Sequence, residues 1–427
     1  MDEHYILKNA VVSDGLRFVL EDAAIEIRDG KILKIAKHSE IRDTKHKTID
    51  LGGRLVLPGL LNPHHHLYSA LATGLAPLGA TDTFNRILEK LWWPLDRSLD
   101  EESIYYSALS GLMQSLRYGV TAVIDHHASM HAVSGSLGIL AKAFRTMGMK
   151  GLLCYEVSDR EGEAALDAQI EENLLFREKH KTDPDIRGLF GMHANFTLSE
   201  KSMRRIAEAK PQDMPLHIHC GEASGDLAFC RELGYAGPVD RLRAFGLLSR
   251  HSLLAHCIHL SDRDYDILYE IQPVVISNPE SNANNNVGMM NSGKIGRYVL
   301  GTDGMTGNIL GTFRSHFLFR NAVLPNPADL LFAYPAEIMQ YYFPDWGRIE
   351  SGAAADLAVT NYRPVTPLNP DNLFFHLIFG VQGKEMFMTV ANGKILFSDN
   401  TLHTVDETAI NAEIKKTVKK LYERYQQ

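Results

Sequence analysis

A regular alternation of short apolar runs with longer helical stretches is the feature that most restricts how this chain can fold. Between residues 58 and 345, runs of strand character are separated by stretches of helical periodicity. The runs lie near 60–61 and at 122–124, 151–155, 188–190, 216–219, 252–255, 274–276 and 298–300. Eight β units with helical connections over roughly 290 residues predict an α/β fold, a (β/α)₈ TIM barrel, whose usual size is about 250 residues.

An open, doubly wound parallel sheet is the alternative that this alternation allows. Such sheets bind nucleotides through GxGxxG or GxxxxGK[ST] motifs placed directly after a strand. Neither motif follows any of the predicted strands. The barrel is therefore the preferred prediction, with helices expected at 102–118, 164–179 and 200–210 between its strands.

Both ends of the chain lack this alternation. Residues 1–57 contain short apolar runs typical of strands. Residues 346–427 return to β character before a final stretch, about 406–425, that predicts an amphipathic helix. The hairpin signals in these ends are Asp14-Gly15, Asp29-Gly30 and Asn392-Gly393. We expect the two ends to pair into one small composite β-sandwich domain, with the barrel of residues 58–345 inserted between them.

Composition excludes several classes of protein. The chain has 44 Lys and Arg residues against 52 Asp and Glu residues, a net charge of −8, which argues against a nucleic-acid partner. Nowhere do 18 apolar residues run together, so no membrane-spanning helix is expected. The four cysteines form no CxxC pair, which is typical of a reducing compartment, and we expect a cytoplasmic protein.

Two histidines follow the first predicted barrel strand. His64 and His66 are two positions apart, so in a strand their side chains share a face that His65 does not. A bare HxH is more often a solvated run or a capping loop. Barrel active sites, however, lie at the C-terminal ends of the strands, and this position favours a metal-binding pair.

The fifth predicted strand carries a second HxH pattern. His217 and His219 also share a face, so alternation alone does not choose between them. His219 lies nearer the C-terminal end of the strand, and Glu222, three residues on, could reach the same point. A carboxylate beside a metal-activated water is the usual proton shuttle.

Polar residues end most of the other strands as well. Asp303 follows the last strand, His256 the sixth and His193 the fourth, while His126 and His127 follow the second. Each alone is more often a turn former or a buried, hydrogen-bonded side chain. Their clustering at one end of a barrel predicts a metal site of three histidines and one aspartate, which suits Zn²⁺, with Fe²⁺ or Mn²⁺ as alternatives.

Residues near the same strand ends could contact a substrate. Residues 282–286 form an asparagine-rich patch that we interpret as a loop. The segment 278–282, which follows the seventh strand, could cap a helix, or its amides could bind a heterocycle. Trp92-Trp93 is most simply core, although it follows the first metal-binding strand and could line a pocket. The predicted substrate contacts are His193, His127 and Asn282.

Taken together, these segments resemble the amidohydrolase superfamily. Residues 58–66 are similar to its PGxxNxHxH opening, and residues 219–222 to its HxxE on the fifth strand. His256 and Asp303 match its sixth- and eighth-strand residues. Within the superfamily the chain is similar to the cytosine-deaminase and chlorohydrolase branch. The segments 91–96 (LWWPLD), 125–129 (DHHAS) and 154–160 (CYEVSDR) are similar above all to SsnA-type aminohydrolases.

The resemblance implies one divalent ion per chain, most simply Zn²⁺, and a small nitrogen-heterocyclic substrate. The implied metal ligands are His64, His66, His219 and Asp303. The implied catalytic residues are Glu222, His256 and Asp303. We expect a deaminase that attacks an amino-substituted sp² carbon with metal-activated water and releases ammonia, assembled as a homodimer or a larger homo-oligomer.

Alternatives stay open at this point. The same activated water could displace a halide or open a cyclic amide. A barrel kept only as a binding module predicts a damaged site, whereas every residue of the pattern is present here. The run Asp125-His126-His127 is not a general deaminase feature, so a second metal ion or a contact with a substrate carboxylate is a further interpretation.

Overall fold

The computed structural model describes residues 4–41, 45–320 and 327–427, without the side chain of residue 320. The predicted barrel segment thus includes 321–326, which lie outside the described residues. The strands are β1 (His4–Ser13), β2 (Val19–Arg28), β3 (Lys31–Lys37), β4 (Lys47–Pro58), β5 (Leu60–His65), β6 (Val120–His127), β7 (Lys150–Tyr155), β8 (Ile186–Gly188), β9 (Phe190–Ala194), β10 (Leu216–Cys220), β11 (Leu253–His256), β12 (Val274–Ser277), β13 (Tyr298–Leu300), β14 (Leu357–Val359), β15 (Met388–Ala391), β16 (Lys394–Ser398) and β17 (Thr401–Leu402).

The helices connect these strands and cover their faces. They are α1 (Phe84–Ile87), α2 (Trp93–Ser98), α3 (Glu101–Arg117), α4 (Ser136–Met147), α5 (Glu163–Lys179), α6 (Glu200–Ala209), α7 (Ser224–Glu232), α8 (Pro238–Ala244), α9 (Asp262–Ile271), α10 (Pro279–Asn284), α11 (Ile309–Arg320), α12 (Ala333–Gln340), α13 (Leu373–Phe375) and α14 (Glu407–Tyr425). In the described part of the chain, no helix combines the length and apolarity that crossing a membrane requires.

Two parallel sheets form the centre of the molecule. One has the strand order β5-β6-β7-β8 and the other β9-β10-β11-β12-β13. Parallel bridges join the sheets at both of their edges, between His65 and Asp303 and between Val157 and Met192. Every residue of β5, β6 and β7 is buried, as expected for parallel strands covered on both faces.

The fourth predicted strand differs from the observed structure. We expected one strand at 188–190, but β8 ends at Gly188 and β9 starts at Phe190. The backbone N–H of Leu189 donates to Leu153 on β7, whereas that of Phe190 donates to Pro215, next to β10. The chain therefore changes its pairing partner between these two residues, which a run of apolar residues does not reveal.

The two ends of the chain meet in one mixed sheet of eight strands, in the order β17-β16-β15-β14-β4-β1-β2-β3. Antiparallel pairing of β14 with β4, from Leu357 opposite Pro58, joins the C-terminal strands to the N-terminal ones. The Asp-Gly and Asn-Gly pairs lie at the predicted turns. Asp29, Gly30, Asn392 and Gly393 all have positive φ, as tight hairpins require.

The loop prediction for the asparagine-rich patch, 282–286, was wrong for 282–284, which are helical, whereas 285 and 286 form a turn. Residues 279–284 form α10, with Pro279 in its first turn, where the fixed φ of proline suits a helix and its missing N–H costs nothing. Helix α10 directly follows β12, so it lies at the C-terminal end of that strand. The predicted helices at 102–118, 164–179 and 200–210 are confirmed as α3, α5 and α6.

Candidate metal centre and pocket

Four side chains meet where β5, β10 and β13 end. His64 lies on β5 and His66 directly after it, His219 lies on β10, and Asp303 follows β13. One potential ligand atom from each residue lies within 4.8 Å of the others. The parallel strands thus bring together residues that are up to 239 positions apart in the sequence. All four are at most 9% exposed.

Hydrogen bonds determine which histidine nitrogens are free. The Nδ1 of His66 donates to the backbone carbonyl of His126 at 2.6 Å, and the Nδ1 of His219 donates to that of His193 at 3.0 Å. In the neutral rings both Nε2 atoms therefore carry lone pairs, yet they lie only 3.1 Å apart. Two facing lone pairs at this distance repel each other unless a proton or a metal ion lies between them. Burial lowers the pKa of His66, but the Asp303 carboxylate outweighs it and raises that pKa to about 9, so a proton can occupy the place that a metal ion would take.

His64 completes the set of nitrogen donors. Its Nδ1 lies 2.9 Å from the Nε2 of His217, while its own Nε2 is buried without a hydrogen-bond partner. An outer partner on one ring nitrogen is the arrangement that orients metal-binding histidines. His217 and His219 thus both point inward, as predicted, but they reach different atoms. The donor set of three imidazoles and a carboxylate fits a divalent ion of the zinc type.

The backbone around Asp303 holds its carboxylate against the histidines. Its Oδ1 lies 3.0 Å from the Nε2 of His66 and 3.4 Å from that of His64. Its Oδ2 accepts the hydroxyl of Ser281 at 2.5 Å. The backbone N–H of Asp303 donates to the carbonyl of His64, and its φ of +54° is a left-handed conformation that aspartate tolerates. Ser281 is a contact that sequence reasoning missed.

Glu222 and His256 lie beside this cluster. The Nε2 of His256 is 3.6 Å from Glu222 and 3.9 Å from Asp303. Burial, together with the charge of Asp303, raises the pKa of Glu222 to about 7, although His256 acts in the opposite direction. Such a carboxyl group can hold a proton near neutral pH and still release it, which is what a general acid–base residue needs.

The three predicted substrate contacts lie in different places. His193 lines the pocket beside the cluster, and burial lowers its pKa to about 3, so its ring is neutral. Asn282 is instead fully buried behind His256, whose Nδ1 donates to its amide oxygen at 2.8 Å. His127 is also fully buried and hydrogen-bonded to Ser129 at 3.0 Å. Neither Asn282 nor His127 is among the residues that line the pocket.

The pocket next to the cluster has a cavity volume of about 60 Å³. Aromatic and apolar side chains form one wall, and polar groups from the strand ends form the other. The aromatic wall consists of Tyr68, Phe84, Trp92 and Trp93. The polar wall includes Asp96, His193, Glu222, Asn284 and Asn285. A flat ring with polar edges fits this combination of surfaces.

A charged network behind the pocket was not predicted. Arg160 is 6% exposed and pairs with Asp96 at 2.7 Å and with Glu156 at 3.1 Å. Glu156 also faces His126 on the neighbouring strand, at 3.2 Å. The residues of this network come from three separate segments, which are α2, the end of β6 and the stretch after β7. Their contacts with one another were therefore not evident from the sequence.

Comparison with known proteins agrees with this geometry. The amidohydrolase family matches residues 55–397. A 5-methylthioadenosine/S-adenosylhomocysteine deaminase of Pyrococcus furiosus is 29% identical over 438 aligned positions, covering 97% of this chain and all of that protein. The zinc-bound structure of a Xanthomonas campestris adenosine deaminase superposes with a TM-score of 0.84, at 20% identity and 98% coverage of both chains.

A triazine hydrolase of Arthrobacter aurescens is similar in structure as well. Its TM-score is 0.81 at 21% identity, with 97% of this chain and 99% of that chain covered. At such identities the two structures establish a shared fold. Because the family match spans most of the sequence, the predicted resemblance is confirmed: this chain belongs to the amidohydrolase family.

Proposed function

We propose that this protein is a metal-dependent aminohydrolase that replaces an amino group on an sp² ring carbon with oxygen and releases ammonia. The observation that carries the proposal is the convergence of His64, His66, His219 and Asp303, with Glu222 and His256 beside them. The family match and the deaminase names of relatives confirm the broader prediction of a hydrolase that acts on carbon–nitrogen bonds.

We infer that the two parallel sheets close into one (β/α)₈ barrel spanning residues 58–345. The bridges at both sheet edges and the fold shared with amidohydrolase structures support this inference. The end segments, 1–57 and 346–427, then form a composite β-sandwich. Its support is the mixed sheet of β1–β4 with β14–β17, together with a bridge from Lys31 to Ala354 that brings the outer strand β3 back toward the start of β14.

We further propose that His64, His66, His219 and Asp303 hold one divalent ion, most simply Zn²⁺. The lone pairs on the three Nε2 atoms and the short distance between those of His66 and His219 support this assignment. When bound, the ion lowers the pKa of a coordinated water to about 7 and so supplies a nucleophile near neutral pH.

The protein's own groups would then move the protons. Glu222, whose pKa is about 7, can hold a proton near neutral pH and lies in the pocket wall, where it can donate to the ring nitrogen next to the attacked carbon. His256 donates its Nδ1–H to the amide oxygen of Asn282, so its Nε2 carries a lone pair that can accept a proton, with the Asn278 amide 3.4 Å away. Ser281 keeps the Asp303 carboxylate in place. Glu222 or Asp303 then accepts the proton of the newly added hydroxyl group and passes it to the amino group, which leaves as ammonia.

The substrate that we propose is an amino-substituted purine or a related nitrogen heterocycle, with adenosine-type nucleosides as the first class to test. The aromatic wall can stack on the flat base, and Asn284 and Asn285 offer amide groups at its edge. The curated relative from Pyrococcus furiosus, by its name, acts on nucleosides of this kind.

The predicted homo-oligomer and the cytoplasmic location are also kept as proposals. Phe319, Phe375 and Phe379 are each at least 43% exposed and offer an apolar surface for a second copy of the chain. The four cysteines are free and buried, as expected for a reducing compartment.

The test is an assay of zinc-loaded protein for ammonia release from adenosine and 5-methylthioadenosine, with metal content measured in parallel. We expect Glu222→Gln to keep its metal and to lose about 10²- to 10⁴-fold in kcat, the usual size of a general acid–base contribution. Glu232→Gln, an exposed glutamate on α7, is the matched control and should be fully active. Full activity of Glu222→Gln would contradict the proposal. So would release of chloride from a chloro-substituted heterocycle, or of a ring-opened product, where the amino-substituted compounds release no ammonia.

A further inference from the structure

A second set of potential metal ligands adjoins the first. It consists of His66, His126, Glu156 and His219, with one potential ligand atom from each lying within 4.8 Å of the others. His126 and Glu156 are 0% and 2% exposed and belong to neighbouring strand ends, those of β6 and β7. Neither residue takes part in the proposed deamination.

The hydrogen bonds of His126 leave one of its nitrogens available. Its Nε2 lies 3.3 Å from the backbone carbonyl of His217 and donates to it, so the neutral ring has its lone pair on Nδ1. That Nδ1 lies 3.2 Å from the Oε2 of Glu156. Both atoms are fully buried, and neither has a hydrogen-bond partner. Two acceptors that face each other in this way need a proton or a metal ion between them.

The separation of the two atoms matches that of two ligands on one ion. Nitrogen and oxygen ligands at about 2.0–2.1 Å from a tetrahedral zinc ion are about 3.3 Å apart. The two oxygens of Glu156 have different neighbours. Arg160 contacts Oε1 at 3.1 Å, whereas Oε2 faces the Nδ1 of His126.

We propose that His126 and Glu156 hold a second divalent cation next to the first. Each imidazole nitrogen binds only one ion, so His66 and His219 serve the first ion and the second completes its coordination with water. The inference rests on the proposed occupation of the first position. It makes the centre binuclear through residues of the second and third barrel strands.

The experiment is a titration of chelator-stripped protein with Mn²⁺, in which bound and free ions are counted by equilibrium dialysis and by the electron paramagnetic resonance signal of free Mn²⁺. We expect two equivalents bound to the unsubstituted chain and one to Glu156→Gln. His126→Gln should also bind one, which provides an independent variant if Glu156→Gln does not fold. Glu172→Gln is the matched control, since Glu172 is buried but caps the start of α4 instead, and it should bind two.

The outcomes separate this inference from the proposed function. Saturation of the unsubstituted chain at one equivalent overturns the second position and identifies His126 and Glu156 as a buried ion pair. Two equivalents bound to both Glu156→Gln and His126→Gln would also overturn it, because the second ion would then lie elsewhere. No bound ion at all would refute the metal centre of the proposed function together with this inference.

Discussion

His217 provides a sharp test of how this site is built, because the sequence alone does not separate it from His219. The structure places the Nε2 of His217 2.9 Å from the Nδ1 of His64, with both side chains fully buried. When His64 uses its Nε2 for the metal ion, its Nδ1–H donates to His217. We therefore expect His217 to orient a ligand without being one.

The size of the effect follows from that geometry. In His217→Leu the Nδ1–H of His64 loses its acceptor in a site that excludes water, so the donor stays unpaired. Loss of such an outer partner lowers metal affinity about 10- to 100-fold, which corresponds to about 1.4–2.8 kcal/mol. His219→Leu removes a ligand itself and should abolish stoichiometric zinc binding.

The assay is competition for Zn²⁺ against a chelator of known affinity, with circular dichroism to verify folding. His217→Gln retains a side-chain acceptor and should recover much of the affinity that His217→Leu loses. A zinc affinity of His217→Leu equal to that of the unsubstituted chain would refute the orienting role. A loss as large as that of His219→Leu would show that the two histidines were assigned the wrong way round.

Two further predictions concern His256 and the stability of the fold. Asn282→Ala removes the acceptor that orients His256 and should lower kcat about 10- to 100-fold with KM nearly unchanged, in steady-state kinetics of ammonia release. Burial raises the pKa of Asp183, but hydrogen bonds, from the backbone of Asp185 and from Arg145 among others, outweigh it and lower the pKa to about 2. The stability from Asp183 is thus complete above its ordinary pKa of 3.8 and is lost as the pH falls toward 2; urea unfolding of Asp183→Asn should show a smaller loss over that interval.

The local sequence pattern predicted most of the strands and helices correctly. Apolar runs located seven of the nine strands of the parallel sheets, and Asp-Gly and Asn-Gly pairs located three hairpins, because both signals act over a few residues. The pattern failed at 188–190, where the chain changes its pairing partner, and at 282–284, which continue the helix that starts at Pro279. In the first case the hydrogen-bond partner decides the structure, and in the second the proline that starts the helix. Apolar periodicity registers neither of them.

The sequence by itself also determined which residue types would gather at the site, because HxH, HxxE and a strand-end aspartate place donors at the same end of parallel strands. Only the tertiary structure decided what each donor does. Alternation puts His217 and His219 on one face, but His217 meets His64 while His219 turns its Nε2 toward that of His66. The pairing of His126 with Glu156 and the place of Asn282 behind His256 were likewise beyond the sequence, because each depends on which strand or helix lies alongside.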